Sequence, residues 1–177
     1  AASDVYKRQA IAEYNTERRK AVGHRFGVNN LYSDAESMLK TIVPDIAAVV
    51  TPTKWMKESV IACANAGVKG VSTDKPLSAS LSDADEMVEA CRSNGTIFAG
   101  GNLAVAHNHV QETAKWIRQG KFGEIKGGIL NCMADDLTGG GVQWISALRL
   151  FMNSEVSKVI AWGKPESEVY NLTLIQI

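Results

Sequence analysis

The sequence predicts an α/β protein: a parallel sheet with crossover helices, followed by the opening of a second, α+β layer. Three observations predict it. Short apolar segments alternate with helix-length segments from residue 10 to residue 119, the order that parallel crossover units produce. Ser and Asn residues stand where helices should begin, and Gly residues stand where they should stop. After Gly123 the order changes to a long strand, a glycine loop, a helix and another strand.

Taken in order, residues 10–13 are the end of a short apolar strand. Asn15 caps a helix over Thr16–Phe26 that stops at Gly27. Ser33 and Glu36 have capping-box spacing for a short helix reaching about Thr41. Residues 46–50 are a continuous apolar run, as a strand covered on both faces requires. Thr51-Pro52-Thr53 ends it, and a helix follows from about Trp55 to Ala66. Residues 69–73 are the next strand. Ser80 and Asp83 form a second capping pair for a helix that runs to Asn94-Gly95. Residues 96–99 are a strand and residues 107–119 a helix closed by Gly120. In the second layer, residues 124–134 are predicted as a strand, 139–141 as a loop, 142–152 as a helix and 156–163 as a strand. Residues 165–177 read as a strand or as a truncation product, with 169–177 apolar enough for a strand.

Composition narrows the function classes. The 177 residues are 45% hydrophobic and 21% charged, ordinary for a globular protein. The net charge is zero, which argues against nucleic acid or an anionic membrane as the main partner. No apolar run approaches bilayer length, and no segment reads as a signal peptide. Cys63, Cys91 and Cys132 lack the spacing of a zinc or redox motif. Reduced thiols in a cytoplasmic protein are the simplest reading. Residues 4–9, Asp-Val-Tyr-Lys-Arg-Gln, resemble the one-frame translation of a transposon end used to prepare sequencing libraries. Residues 1–9 are therefore set apart as an adaptor scar, the alternative being a genuine frayed terminus.

Ligands of open parallel sheets bind beyond the carboxyl ends of the strands. Three such ends carry suitable chemistry. Glu13 can accept hydrogen bonds from both ribose hydroxyls of an adenosine and would repel a 2′-phosphate, so it favours NAD over NADP. Taken alone it reads more simply as a solvated carboxylate at a helix entry. Thr51, Pro52 and Thr53 place hydroxyls on either side of a strand-breaking proline, or form a plain turn. Asp74-Lys75-Pro76 holds an ammonium at a strand end, where it can donate to a substrate oxygen. As an isolated tripeptide it reads more simply as a surface lysine in a proline turn.

The three ends together, in this order and spacing, resemble the Gfo/Idh/MocA oxidoreductases: Ala12 to Arg18, then residues 45–53, then Asp74-Lys75-Pro76-Leu77. Residues 117–125, from Ile117 to Ile125, resemble that family's join into its second domain. The resemblance covers roughly residues 10–162. It implies a truncated Rossmann-type parallel sheet (residues 10–122, a partial dinucleotide-binding domain) followed by the start of an open-faced α+β sheet domain (residues 123–177). It also implies NAD as cofactor, NADP less so, and a sugar, cyclitol or related polyol as substrate. By the same resemblance Lys75 contacts the reacting oxygen and the nicotinamide, Lys75-Pro76 is a candidate cis peptide, and Glu13 holds the adenosine ribose. Thr51, Pro52, Thr53, Asp74, Pro76 and Asn102 join Glu13 and Lys75 as cofactor-binding candidates, and subunits would pair through the second domain.

Four departures stand against the family pattern. Asp74 replaces the usual glutamate. The first strand and its G-x-G-x-x-G turn are absent, and that turn brings a helix N-terminus to the pyrophosphate. The family's histidine slot falls on Gln143 or Ser146, with Gln143 preferred because Leu148-Arg149-Leu150 then matches the downstream helix. Neither is a general base near neutral pH. The arginine that often follows the Gly-Asn turn is at neither Leu103 nor Ala104.

The remaining candidates are read blandly. His107 and His109, two apart, do not share a helix face, and a metal site needs more ligands. His24 belongs to a solvated face. Asp135 and Asp136 could reach a cleft, with a polar loop the simpler reading. The glycines at 139–141 are a flexible turn more readily than a phosphate loop. Trp55, Trp116, Trp144 and Trp162 are expected in cores or interfaces. Three functions follow: a hydride-transferring enzyme with Lys75 central, a non-catalytic dinucleotide- or sugar-binding relative, and an inactive truncated fragment.

Overall fold

The computed structural model describes residues 8–130 and 140–160. The chain forms two compact units, Ala1–Gly100 and Gly101–Ile177. The expectations for residues 131–134, Cys132, Asp135, Asp136, Gly139, Trp162 and residues 161–177 lie outside the described residues.

The first unit alternates strands and helices: β1 (Ile11–Ala12), α1 (Thr16–Phe26), β2 (Leu31–Tyr32), α2 (Ala35–Leu39), β3 (Ile46–Val49), α3 (Met56–Asn65), β4 (Gly70–Thr73), α4 (Leu81–Ser93) and β5 (Ile97–Gly100). A short 3-10 turn, Thr53–Trp55, leads into α3. All strand pairs are parallel: β1 with β2, and β3-β4-β5 in that order. The fold is α/β, as predicted.

Local chemistry sets the element ends. The Asn15 side chain accepts the Arg18 N–H at 2.9 Å, and Gly27 closes α1 at φ 65°, a left-handed conformation that glycine adopts without a Cβ penalty. The Ser80 hydroxyl accepts the Asp83 N–H at 3.2 Å and starts α4. Each such cap contributes about 1 kcal/mol. The cap of α2 differs from expectation. Asp34, not Ser33, accepts the Ser37 N–H, at 2.7 Å, while Ser33 donates to the Asp34 carboxylate. Those bonds hold the Asp34 carboxyl below its usual range. Strand β2 escapes the sequence reading because two residues are too few to display a period of two.

One core serves this unit. Met38, Leu39, Ala47, Val49, Met56, Val60, Cys63, Val68, Val71, Met87 and Cys91 pack together, with Ala10, Tyr32, Leu77 and Phe98 against them. Lys57 joins α3 to α4, its Nζ lying 2.7 Å from Asp83 and 3.2 Å from Glu86. The Lys57 hydrogen bond holds the Asp83 carboxyl low, and the two carboxylates raise the Lys57 ammonium. Strand β3 corrects another expectation. Ala47 and Val49 are buried, but Ile46, Ala48 and Val50 are exposed. Among the described residues only one side of β3 is covered, so the apolar run does not mark a strand enclosed on both sides.

In the second unit, α5 (Leu103–Ala106), α6 (Asn108–Arg118) and α7 (Val142–Met152) pack on one another. Helix α6 begins at Asn108, one residue later than predicted, and α5 precedes it where no helix was foreseen. Helix α7 has its predicted bounds. Gly140 and Gly141 are already wound into the entrance of α7, so this described part of the glycine stretch is not a loop. Residues 124–130 and 155–160 form no strand, because a strand needs a ladder partner as well as an apolar pattern. Gly128 lies against α7, where a Cβ would come within 2.6 Å of Leu148 Cδ1.

Candidate functional site

In the first unit the chemistry gathers where its strands end. The turn after β1 carries Glu13. Its carboxylate accepts the Asn15 N–H at 2.9 Å and lies 3.4 Å from the Arg18 guanidinium, and its carbonyl accepts from Arg19. Glu13 is thus fixed at the entrance of α1, with two arginines beside it.

Beyond β3, Thr51 is half-buried, Pro52 exposed and Thr53 half-buried. The alternation of β3 continues here, with Val49 inward, Val50 outward and Thr51 inward. The Thr51 Oγ1 is buried and has no hydrogen-bond partner among the described residues. Pro52 accepts the Trp55 N–H at 2.9 Å, which winds the 3-10 turn.

Beyond β4, Asp74 is exposed while Lys75 and Pro76 are half-buried. Asp74 Oδ1 accepts the backbone N–H of Lys75 at 2.8 Å. The Lys75-Pro76 peptide is cis, in line with the expectation. Thr73, just before this turn, is only 8% exposed, and its Oγ1 also lacks a partner among the described residues. The sequence reading missed Thr73. Its signal was a hydroxyl residue one position before a strand-end Asp-Lys-Pro.

An unpaired buried hydroxyl costs about 1–3 kcal/mol. Two of them at the ends of neighbouring parallel strands, beside a lysine, form a donor and acceptor set that fits a polar, hydroxyl- and amide-bearing ligand. A dinucleotide carries those groups.

Two nominated residues lie in the second unit. Asn102 uses both ends of its amide: Oδ1 accepts the Ala104 N–H at 3.0 Å, capping α5, and Nδ2 donates to the Gln143 carbonyl at 3.1 Å. Gln143 is half-buried in the first turn of α7. Ser146 turns its hydroxyl back onto the Val142 carbonyl at 2.8 Å. The His107 and His109 rings stack with centroids 5.5 Å apart. His107 is extended, outside α6, so helix spacing does not govern the pair. Among the described residues no group of three or more His, Cys, Asp or Glu converges on a metal position. His24 is exposed, as expected. Trp55 and Trp144 are substantially exposed, so neither lies in a core of the described residues. No described helix is long and apolar enough to cross a membrane.

Parallel strands in two sheets, joined by helices and with polar groups beyond their carboxyl ends, define a protein of the open α/β class, in which ligands bind at those ends. The chain belongs to the Gfo/Idh/MocA oxidoreductase family, whose model, described as an oxidoreductase family with an NAD-binding Rossmann fold, matches residues 1–101. It is similar to myo-inositol 2-dehydrogenase of Thermotoga maritima, with 34% identity over 100 residues, 56% of this chain and 30% of that protein. It is similar to 2,7-anhydro-N-acetylneuraminate hydratase of Escherichia coli K12, with 31% identity over 112 residues, 63% of this chain and 30% of that protein. The crystal structure of the WlbA dehydrogenase from Bordetella pertussis, in complex with NADH and UDP-GlcNAcA, superposes with a TM-score of 0.61 at 27% identity, covering 66% of this chain and 33% of that one. The chain thus spans about a third of the length of these relatives.

Proposed function

We propose that the chain is part of an enzyme that transfers a hydride between NAD and a hydroxyl-bearing carbon of a sugar, cyclitol or related polyol, with Lys75 at the reacting oxygen. The observation that carries this reading is the half-buried Lys75 just beyond the end of β4, on a sheet whose Thr51 and Thr73 hydroxyls are buried and have no partner among the described residues. When bound, the nicotinamide would supply the hydride acceptor. Lys75 would donate a hydrogen bond to the substrate oxygen and stabilise the charge that develops there, an effect that grows when water is excluded. Asp74 would fix the backbone of the lysine turn. Thr51, Pro52, Thr53 and Pro76 would line the cofactor, and Glu13 would accept the ribose hydroxyls. The Glu13 carboxylate favours NAD over NADP, although Arg18 beside it softens the repulsion of a 2′-phosphate. Asn102 and Gln143 are carried in the same reading as cofactor and substrate contacts. The two buried free thiols, Cys63 and Cys91, support a reducing, cytoplasmic setting.

A glutamine cannot take a proton near neutral pH. Gln143 therefore keeps a second reading open, a relative that binds dinucleotide or sugar without turnover. Nicotinamide reduction by the chain is assayed with NAD and NADP against a panel of inositols, aldoses and 2,7-anhydro-N-acetylneuraminate. Lys75→Ala is expected to lower turnover at least a hundredfold while NAD affinity stays within a few-fold. A Lys75→Ala variant as fast as the parent would sink the catalytic assignment. NAD binding with no turnover on any substrate would favour the binding protein.

A further inference from the structure

We propose that Asn102 is a positioning residue for the substrate: its amide anchors the first turn of α7 and thereby aims Gln143. This rests on the reading above, in which Gln143 meets the polyol. Helix α7 has little of its own to fix its entrance. Its N-cap is Gly141, already helical at φ −60° and ψ −36°, and no side chain caps it. An uncapped first turn leaves its N–H groups without helical partners, and helix ends fray. Among the described residues, two side chains bond to this turn. Ser146 returns its hydroxyl to the Val142 carbonyl at 2.8 Å, a bond inside the helix. Asn102 donates from Nδ2 to the Gln143 carbonyl at 3.1 Å, across 41 positions of the chain. The second bond ties the turn to a residue outside α7.

Asn102 is itself held. Its Oδ1 accepts the Ala104 N–H at 3.0 Å and starts α5, and α5 packs against both α6 and α7. The amide is therefore fixed at its oxygen before its nitrogen reaches α7. An asparagine can do both, because one short planar group presents an acceptor and a donor. Its second Nδ2 hydrogen is left for the cofactor contact carried above. Gln143 is half-buried on the anchored turn, so a backbone shift there moves its whole side chain. Loss of one neutral hydrogen bond changes an equilibrium by roughly 2- to 10-fold. Misplacing a substrate-positioning group by about 1 Å costs up to about 100-fold in rate.

The test compares Asn102→Asp and Asn102→Ser in the 177-residue chain. Both keep an oxygen to cap α5 and lose the amide donor. Three quantities are read: amide hydrogen exchange in α7 against α6, NAD affinity by calorimetry, and kcat and KM for the inositol and aldose panel at saturating NAD. Both variants should speed exchange in the first half of α7 roughly 2- to 10-fold and leave α6 unchanged. They should lower kcat/KM roughly 10- to 100-fold and change NAD affinity by no more than about threefold. In a Gln143→Ala background, Asn102→Ser should alter kcat/KM by less than about twofold, because the two residues act as a unit. Unchanged exchange in α7 would overturn the anchor. Faster exchange with unchanged kcat/KM, or losses that add to those of Gln143→Ala, would leave a merely structural bond and overturn the positioning role. A tenfold loss of NAD affinity with α7 unaltered would make Asn102 a cofactor contact alone. A parent chain that turns over no polyol would overturn the enzymatic reading and, with it, the role at the substrate.

Discussion

Thr73 and Thr96 allow the same substitution to be tried at two equally buried threonines with opposite expected signs. Thr73 is 8% exposed and Thr96 is 7% exposed. The Thr96 hydroxyl donates to the Val68 carbonyl at 2.8 Å, whereas the Thr73 hydroxyl has no partner among the described residues. Thr73→Val exchanges an unmatched hydroxyl for a methyl of the same shape. Its surroundings accept one: β4 pairs Thr73 with Val49 on one side and Gly100 on the other, and Leu77 packs against the same core. Relief of the unmet hydroxyl is worth about 1–2 kcal/mol in stability. Thr96→Val instead strips the Val68 carbonyl of its donor and costs about 1–3 kcal/mol. Equilibrium urea unfolding reads both, since a slope of about 2 kcal/mol/M turns the Thr73→Val gain into a midpoint shift of roughly 0.5–1 M upward. Thr96→Val should move the midpoint down. If Thr73→Val lowers the midpoint, its hydroxyl has a partner, and the case for a ligand-ready group at the end of β4 fails. A neutral Thr96→Val would refute the use of unmatched hydroxyls as an energetic guide in this sheet.

Two further outcomes follow from the core of the first unit. Burial, with a smaller contribution from the neighbouring Cys91, pushes the Cys63 thiol up to about 11 from an ordinary 9.0. The unfolded chain therefore releases this proton first, so the associated stability is complete below pH 9 and is lost as pH rises to about 11. The loss is about 2–3 kcal/mol, and denaturant unfolding of Cys63→Ala against the parent across pH 8–11 should show a shallower alkaline decline in the variant. Met87 is fully buried between α4 and the core, and Met87→Ala should cost about 2–5 kcal/mol in chemical denaturation. A loss below about 1 kcal/mol would mean that the α3–α4 contact carries little of the unit's stability.

Much of this protein is local chemistry, and the sequence alone determines it. Asn15, Ser80 and Gly27 act through bonds to residues three or four positions away, so α1 and α4 could be bounded without any tertiary knowledge. The Thr51-Pro52-Thr53 break and the Asp74-Lys75-Pro76 turn are likewise readable, because proline has no N–H to give a ladder and so interrupts a central strand. The alternation of elements implied the parallel sheet, since parallel strands need long crossovers. What depends on distant partners was not legible. The apolar run at β3 looks the same whether one face or two are covered, and only packing exposes Ile46 and Val50. The strands expected over 124–134 and 156–163 form no ladder in their described parts, because pairing is a property of two segments and the pattern belongs to one. Asn102 has ordinary turn chemistry in the sequence, yet its amide reaches Gln143, 41 positions away. Thr73 looks like any strand threonine until burial leaves its hydroxyl without a partner among the described residues. The Tyr14 and Trp55 rings lie with centroids 6.4 Å apart only because strands β1 and β3 deliver two distant turns to one place, and no periodicity in the chain encodes that meeting.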